Sequence, residues 1–350
     1  KEGVGGTGVI GVLEGARPGP TIALRADMDA LPVKETSDVP YRSTIDGVMH
    51  ACGHDGHIAM VLGAAEVLSD RRDRLNGSVR FIFQPGEEGF HGARKMIEDG
   101  ALEGVDEIYG GHLWNYQPYG TVSTREGPIM ASTDLFTIRI KGVGGHGAMP
   151  QGTVDAILAA SHLVAALHTI TSRNIDPLDS GVVTVGRMEA GDTYNIIADR
   201  AVLKGTVRAY REETRLLIKK RIEEIVSGME GAFGASIRLD YERGYPPTVN
   251  HPAQVNKLLA SVEKLVPGNQ NELLLSLVGE DFSYYLEKVP GCFFFIGSNP
   301  EGKGPFDVPH HASHFDIDER ALLLGCSVYV QLVEDLLFRS TPRLPRGNRS

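Results

Sequence analysis

Four short apolar runs in this sequence are each followed by side chains that can ligate a metal or carry a proton. The runs cover residues 21–24, 79–83, 107–109 and 293–296, and we predict that each forms a β-strand. The polar side chains that follow them are, in the same order, Asp27, the pair Glu87 and Glu88, His112, and the pair His310 and His311. Helical patterns separate the runs, which indicates an α/β sheet, and such sheets bind ligands at the carboxyl ends of their strands. We therefore expect these side chains to meet at one edge of one sheet.

The middle of the chain has a different pattern. Residues 129–242 alternate between strand and helix in the order β-α-β-β-α-β, which is the ferredoxin-like unit. A chain of 350 residues is long enough for two domains. We therefore predict an inserted domain over 129–242, a discontinuous domain formed by 1–128 and 243–340, and a disordered tail over 341–350.

Charge and hydropathy exclude several classes of protein. The formal net charge of −10 argues against a partner that is a nucleic acid or an acidic membrane surface. No run approaches the roughly 18 to 20 apolar residues of a membrane helix. Three sparse cysteines favour a reducing compartment, so we expect a cytoplasmic protein. The sequence begins directly before a predicted strand, so a truncated N-terminus with a lost leader stays open.

The segment 49–57 carries one thiol and several imidazoles within a few residues. Cys52 and His54 are two residues apart, so their side chains can face the same way on an extended segment. With Glu88, His112 and His311 they make five candidate ligands, one more than a tetrahedral ion takes, which suits two ions that share a ligand. Thiolate and imidazole favour Zn²⁺, and a carboxylate adds Mn²⁺, Co²⁺ and Ni²⁺ as alternatives.

Spacing alone leaves several histidines open. His50 and His57 flank the chelating pair and suit a structural or supporting role as well as they suit ligation. His310 and His314 compete with His311 for the last ligand position. The sequence pattern therefore predicts a metal site without choosing among these rings.

Glu87 is the predicted catalytic base. Adjacent residues in an extended turn point apart, so Glu88 can bind metal while Glu87 faces the attacking water. Two glutamates in a row are most often a solvated pair, but this pair lies between a strand that looks buried and Gly89. His146, in the glycine-rich segment 144–150, is by itself more typical of a turn than of catalysis.

Several motifs occur in order over nearly the whole chain, at residues 24–32, 49–57, 83–89, 92–96, 111–112, 144–150, 279–282 and 311–319. Together they resemble the aminoacylase-type di-metal amidohydrolases. The branch they resemble contains hippurate hydrolase, bacterial N-acyl-amino-acid amidohydrolases and plant indole-acetyl-amino-acid hydrolases.

The resemblance implies a fold and a metal centre. The implied catalytic domain is di-zinc exopeptidase-like, with a mixed, mostly parallel sheet and flanking helices, and the inserted ferredoxin-like domain serves as lid and dimerisation domain. Two divalent ions per subunit are implied, zinc first, with Mn, Co or Ni as alternatives. The implied ligands are Cys52, His54, Glu88, His112 and His311, with Glu87 as the base. His311 is selected because the ligand of the family stands four residues before the Phe-Asp pair, here Phe315 and Asp316.

The resemblance also implies an assembly. His146 matches a loop histidine that reaches the active site of the partner subunit and helps to stabilise the tetrahedral intermediate. A homodimer or homotetramer formed through the lid domain is therefore expected. Asn195 and Asp27 are expected either to support the metal ligands or to contact the substrate.

These expectations together predict an enzyme. We predict a metal-dependent amidohydrolase that converts small N-acyl amino acids to a carboxylic acid and a free amino acid, through a metal-bridged water with Glu87 as general base and acid. A dipeptidase, an N-acetyl-diaminopimelate-type deacetylase and a carbamoylase are alternatives on the same scaffold. A non-catalytic, metal-containing binding protein is less favoured, because it would not need a base beside the metal.

Overall fold

The computed structural model describes residues 1–268 and 275–338. Within this part of the chain the residues divide into two compact units. The first holds residues 1–127, 250–268 and 284–338, and the second holds residues 128–249 and 275–283. The predicted disordered tail, 341–350, lies outside the described residues.

The helices and strands follow one another in three stretches of the chain. The first stretch contains β1 (Glu2–Val4), β2 (Gly8–Glu14), β3 (Arg17–Asp27), α1 (His54–Ser69), β4 (Asn76–Gln84), α2 (Gly92–Glu98), β5 (Glu107–Pro118) and β6 (Val122–Ser123). The second contains β7 (Gly127–Met130), β8 (Asp134–Lys141), β9 (Gly145–His146), α3 (Ala156–Arg173), β10 (Gly181–Ala190), β11 (Ile196–Ile197), β12 (Arg200–Ala209), α4 (Glu212–Phe233), β13 (Ser236–Arg243) and β14 (Thr248–Asn250). The third contains α5 (Pro252–Leu265), α6 (Ser283–Leu286), β15 (Gly291–Asn299) and α7 (Arg320–Leu337). None of the described helices has both the length and the apolar character needed to cross a bilayer.

A mixed sheet forms the centre of the first unit, with the strand order β1-β2-β4-β3-β5-β15-β6 among the described residues. The four central strands, β4, β3, β5 and β15, are parallel, and the outer strands pair antiparallel. The prediction of a mixed sheet with helices is therefore confirmed, while the parallel part is limited to the centre. Central parallel strands are covered on both faces, which explains why residues 293–296 are apolar without alternation. The core joins sheet and helices through residues such as Leu24, Val61, Phe294 and Val328.

Strand β5 is longer than the sequence predicted. We expected a strand over 107–109 with His112 beyond its end, but β5 continues to Pro118 and His112 lies inside it. The strand continues because β15 pairs with it in parallel, with Phe295 opposite His112. Gly111 interrupts the apolar pattern for a packing reason, since a Cβ at this position would lie 2.7 Å from Cζ of Phe294.

The second unit contains the predicted β-α-β-β-α-β order as β8, α3, β10, β12, α4 and β13. Its strands are antiparallel in the spatial order β10-β12-β8-β13, which is the ferredoxin-like arrangement. Alternate residues of β8 point to the helices, so Phe136, Ile138 and Ile140 share a core with Leu163 of α3 and Ile218 of α4.

Candidate metal centre

Cys52 and His54 lie on either side of a tight turn at the start of α1. Gly53 between them has a φ of 83°, a left-handed conformation that glycine adopts without strain. A Cβ at Gly53 would lie 3.4 Å from Cδ1 of Leu113 on β5, so the turn also packs closely on the sheet. The short spacing of the motif thus places a thiol and an imidazole on the two sides of one glycine turn that packs on the sheet.

His54 is a buried ring among carboxylates. It is 1% exposed, with Nε2 at 3.6 Å from Oδ2 of Asp27 and Nδ1 at 3.3 Å from Oδ1 of Asp29. Neither nitrogen makes a hydrogen bond within the described residues. Burial lowers the pKa of His54, but the carboxylates of Asp27, Asp29 and Glu88 outweigh it and raise the pKa to about 9. This environment stabilises a positive charge, which a metal ion or a proton can supply.

His57 has a different role from His54. Its Nδ1 lies 2.5 Å from Oδ1 of Asp27, and its Nε2 accepts the backbone N–H of Leu113 at 2.9 Å. Since Nε2 accepts, Nδ1 carries the proton and donates it to Asp27. Both ring nitrogens therefore have hydrogen-bond partners inside the protein, which favours a supporting role for His57 over ligation.

Asp27 connects this supporting network to the sheet. Nη1 of Arg25 donates to Oδ2 of Asp27 at 2.7 Å, and Nε of Arg25 donates to Gln84 at 2.9 Å. Burial raises the pKa of Asp27, but the charges of Arg25, His54 and His57 lower it well below its usual value. Asp27 is therefore ionised and orients the start of α1.

His112 presents one nitrogen to the thiol of Cys52. Its Nδ1 donates to the carbonyl of Leu113 at 2.5 Å, which leaves Nε2 facing Sγ of Cys52 at 3.6 Å. Burial, together with His57 and His310, lowers the pKa of His112 well below its ordinary value, so the ring is neutral. A neutral ring held through Nδ1, with Nε2 turned to a thiol, is the geometry of a metal-binding histidine.

Asp29 holds the backbone of the glutamate pair. Its two carboxylate oxygens accept the N–H groups of Glu87 and Glu88, each at 3.0 Å. Asp29 was not among the predicted site residues, although a signal was present, because it stands two residues after Asp27 at the end of a strand. These hydrogen bonds fix the loop after β4, which carries both glutamates, to the segment that follows β3.

His311 reaches Glu88 from the other side of the site. Its Nε2 lies 3.0 Å from Oε1 of Glu88, and its backbone N–H donates to the carbonyl of Ala51 at 2.8 Å. His311 has a φ of 66°, which is uncommon for a residue other than glycine and typical of functional sites. His310 instead directs Nδ1 to Sγ of Cys52 at 3.6 Å and accepts the N–H of Asn115 on Nε2 at 3.2 Å.

The predicted residues of the first unit come together in one cluster. Potential ligand atoms lie within 4.8 Å of one another in three overlapping groups: Asp27, His54, His57 and His112; Cys52, Glu88 and His311; and His54, Glu87 and Glu88. His54 and Glu88 each belong to two of these groups and so connect them. A donor set of thiol, imidazole and carboxylate fits zinc and neighbouring divalent metals.

His146 and Asn195 lie side by side in the second unit. Strand β9 pairs antiparallel with β11, with His146 opposite Ile196, and the carbonyl of Asn195 accepts the N–H of Gly147 at 2.8 Å. Nδ1 of His146 accepts the N–H of Ala148 at 3.1 Å, so the proton of a neutral ring is on Nε2. Both side chains are exposed.

Comparisons with known proteins agree with this geometry. The family model described as Peptidase family M20/M25/M40 matches residues 23–335. A Bacillus subtilis protein named as an amidohydrolase, YhaA, is 46% identical over 333 residues, which cover 93% of this chain and 82% of the relative. The N-acetyl-L-cysteine deacetylase of the same organism is 42% identical over 317 residues, which cover 91% of this chain and 74% of the relative.

A solved structure is also similar. The Bacillus subtilis protein YXEP, described as a dinuclear metal-binding peptidase of family M20, is 37% identical and superimposes with a TM-score of 0.80. The match covers 93% of this chain and 84% of that chain.

Proposed function

The chain belongs to peptidase family M20/M25/M40 and is a metal-dependent hydrolase of amide bonds, and from this premise we propose that it cleaves N-acylated amino acids. The products would be a carboxylic acid and a free amino acid. Support for this substrate class comes from the relatives, one of which is named as an N-acetyl-L-cysteine deacetylase.

The observation that carries the proposal is the arrangement of Glu87 and Glu88. Both carboxylates approach His54, but only Glu88 also approaches Cys52 and His311. Glu87 is buried, and its backbone is held by Asp29. One carboxylate can therefore ligate while its neighbour transfers a proton, which a site that only binds metal would not require.

We propose that two divalent ions per subunit would be held by Cys52, His54, Glu88, His112 and His311. Zinc is the first choice, and Mn, Co and Ni are the alternatives, because the donors are a thiolate, imidazoles and a carboxylate. When bound, the ions would polarise the amide carbonyl and lower the pKa of water. Asp27 and Asp29 would keep His54 and the glutamate pair in place.

Glu87 would move the proton. It would take a proton from the attacking water as the carbon–oxygen bond forms, and would return it to the nitrogen of the leaving amine as the amide bond breaks. The same carboxylate can perform both steps because it is a base before the first transfer and an acid after it.

We also propose that His146 acts at the active site of a partner subunit in a homodimer or homotetramer. A neutral His146 with Nδ1 occupied by Ala148 would offer Nε2–H to a developing oxyanion, and one such donor contributes a few kcal/mol to catalysis. Asn195 is bonded to the same loop and would contact the substrate beside it.

The test is release of free amino acid from N-acetyl, N-benzoyl and N-indoleacetyl amino acids. Protein stripped with a chelator would be compared with protein reloaded with Zn²⁺, Mn²⁺ or Co²⁺. Two results together support the proposal. Reloaded wild-type protein should release amino acid again, and the Glu87→Gln variant should release none although it retains its metal. Folded, metal-loaded protein that releases no amino acid from any of these substrates contradicts it.

Peptides are the second candidate substrate. The family and the YXEP protein are both described as peptidases, which favours dipeptides in the same assay. Hydrolysis of dipeptides at a kcat/KM well above that of every acylated amino acid would select this alternative.

A further inference from the structure

Strands β3 and β5 part from each other next to the candidate metal centre. They pair in parallel until Arg25 lies beside Gly110, where the ladder between them ends within the described chain. From there β3 continues beside β4, and β5 continues beside β15. Gly111 and Leu113, which follow on β5, are both buried, so their N–H groups need acceptors from inside the protein. A strand supplies such acceptors as far as Gly110, and other groups must supply them beyond it.

Two side chains accept these N–H groups, one on each side of His112. Oη of Tyr329, on α7, accepts the N–H of Gly111 at 2.6 Å. Nε2 of His57, on α1, accepts the N–H of Leu113 at 2.9 Å. His112 lies between these two residues, and its own Nδ1 donates to the carbonyl of Leu113. The backbone on both sides of this proposed ligand is thus held by side chains from two helices.

Tyr329 contacts both strands at the point where they part. Its hydroxyl also donates to the carbonyl of Arg25 on β3, at 3.5 Å, so that one buried oxygen bridges β3 and β5. The ring packs edge-on against Phe294 of β15, with 5.6 Å between the centroids. A Cβ at Gly111 would lie 3.1 Å from Oη of Tyr329, so the glycine gives the hydroxyl room to approach the backbone. Packing would be satisfied by a phenylalanine, whereas the two hydrogen bonds require the hydroxyl.

We propose that Tyr329 is a positioning residue of the metal centre, which acts through Gly111 to fix the backbone of His112 and the direction of its Nε2. The role rests on the proposed function, because it concerns His112 as a metal ligand. Nε2 of His112 faces Sγ of Cys52 at 3.6 Å, so a small shift of β5 changes the distance between two proposed ligands. Groups that orient a ligand without touching the metal commonly affect metal affinity by about tenfold or more.

The first test compares the zinc affinity of Tyr329→Phe with that of Tyr109→Phe. Tyr109 is the matched control, because it is also fully buried, lies on the same strand as His112 and donates its hydroxyl to Glu107 at 2.7 Å. Competition with a chelator should give a Kd for Zn²⁺ that is about tenfold higher in Tyr329→Phe and unchanged in Tyr109→Phe. Denaturant unfolding of both variants checks that they are folded under the conditions of the titration.

Two outcomes of this titration overturn the proposal. One is a Kd for Zn²⁺ in Tyr329→Phe equal to that of the wild type. The other is an equal rise in both variants, because the effect would then follow from the loss of any hydroxyl in the core.

A spectrum gives a readout that a loss of stability alone would not change. The visible absorption of bound Co²⁺ depends on the geometry of its ligands. The spectrum of cobalt-loaded Tyr329→Phe should therefore differ from that of the wild type, while that of Tyr109→Phe should superimpose on it. Three identical spectra would contradict a change in the position of His112.

Amide hydrogen exchange separates this role from the proposed function, because it needs neither metal nor substrate. In metal-free protein the N–H of Gly111 should exchange about tenfold faster in Tyr329→Phe than in the wild type, relative to the N–H of Ala23 in the paired part of β3. An unchanged relative rate overturns the proposal. Wild-type protein that binds no metal would refute the proposed function, and the exchange rates would still decide whether Tyr329 holds β5.

Discussion

Oδ2 of Asp29 accepts the backbone N–H of Glu88 at 3.0 Å, which joins the end of β3 to the loop that carries both glutamates. The other oxygen of the same carboxylate accepts the N–H of Glu87, and His54 lies 3.3 Å away. Asp29 thus positions a proposed ligand, a proposed base and a histidine with one side chain.

Asp29→Ala should leave two part-buried N–H groups without an acceptor. Each such loss costs about 1 to 3 kcal/mol, so the free energy of unfolding should fall and kcat should fall about 10- to 100-fold as Glu87 shifts. Denaturant unfolding and steady-state kinetics measure both effects. Asp73→Asn, which changes an exposed carboxylate in the turn before β4, is the control, and equal kcat values in the two variants would contradict the positioning role.

The variants Glu87→Gln and Glu88→Gln should distinguish the proposed base, Glu87, from the proposed metal ligand, Glu88. Glu87→Gln should lower kcat by about 10² to 10⁴ and keep the metal content, because only the proton acceptor is lost. Glu88→Gln should lower the metal content first, since Glu88 approaches both Cys52 and His311. Elemental analysis and kinetics on the same preparations measure the contrast, and a Glu87→Gln enzyme with near wild-type turnover would reject Glu87 as the base.

Cys52→Ser should reduce the affinity for zinc because the hydroxyl is a poorer donor than the thiolate. The zinc content after dialysis against a weak chelator should fall well below that of Cys326→Ser. Cys326 is a suitable control since it is a half-buried thiol on α7, outside the cluster. Equal zinc content in the two variants would remove Cys52 from the ligand set.

Mixing two inactive variants should restore activity if His146 acts on a partner subunit. His146→Ala and Glu87→Gln subunits, unfolded and refolded together, would form mixed dimers with one site that has both Glu87 and a partner histidine. Up to about a quarter of the wild-type kcat per subunit is expected from random pairing. Activity no higher than the sum of the separate variants would place His146 outside the partner's site.

Tyr241→Phe should change the dependence of stability on pH. Tyr241 donates to Oδ2 of Asp134 at 2.7 Å, and burial together with this hydrogen bond raises the pKa of Tyr241 above its ordinary value. The raised pKa stabilises the fold below pH ~10, the ordinary tyrosine value, and this contribution is lost as the pH rises above it. The wild type should therefore lose stability more steeply than Tyr241→Phe between about pH 9 and 11 in denaturant unfolding, and parallel curves would contradict the assignment.

The organisation of the chain was largely predictable because it depends on local periodicity. Alternation of strand and helix, the order of elements over 129–242 and the polar residues at strand ends all occur within short windows of sequence. The length of β5 was not predictable in this way. Its continuation past Gly111 depends on β15, which lies far along the chain.

The sequence by itself determined the kind of chemistry. A thiol, imidazoles and paired glutamates at strand ends predict metal-assisted hydrolysis, because few other sites require those donors together. Only the tertiary structure decided which partners each histidine ring has. His57 uses both nitrogens inside the protein while His54 uses neither, and His311 faces Glu88 while His310 faces Cys52. Rings that are identical in the sequence differ in their hydrogen-bond partners, and those partners come from strands and loops that only folding brings within reach.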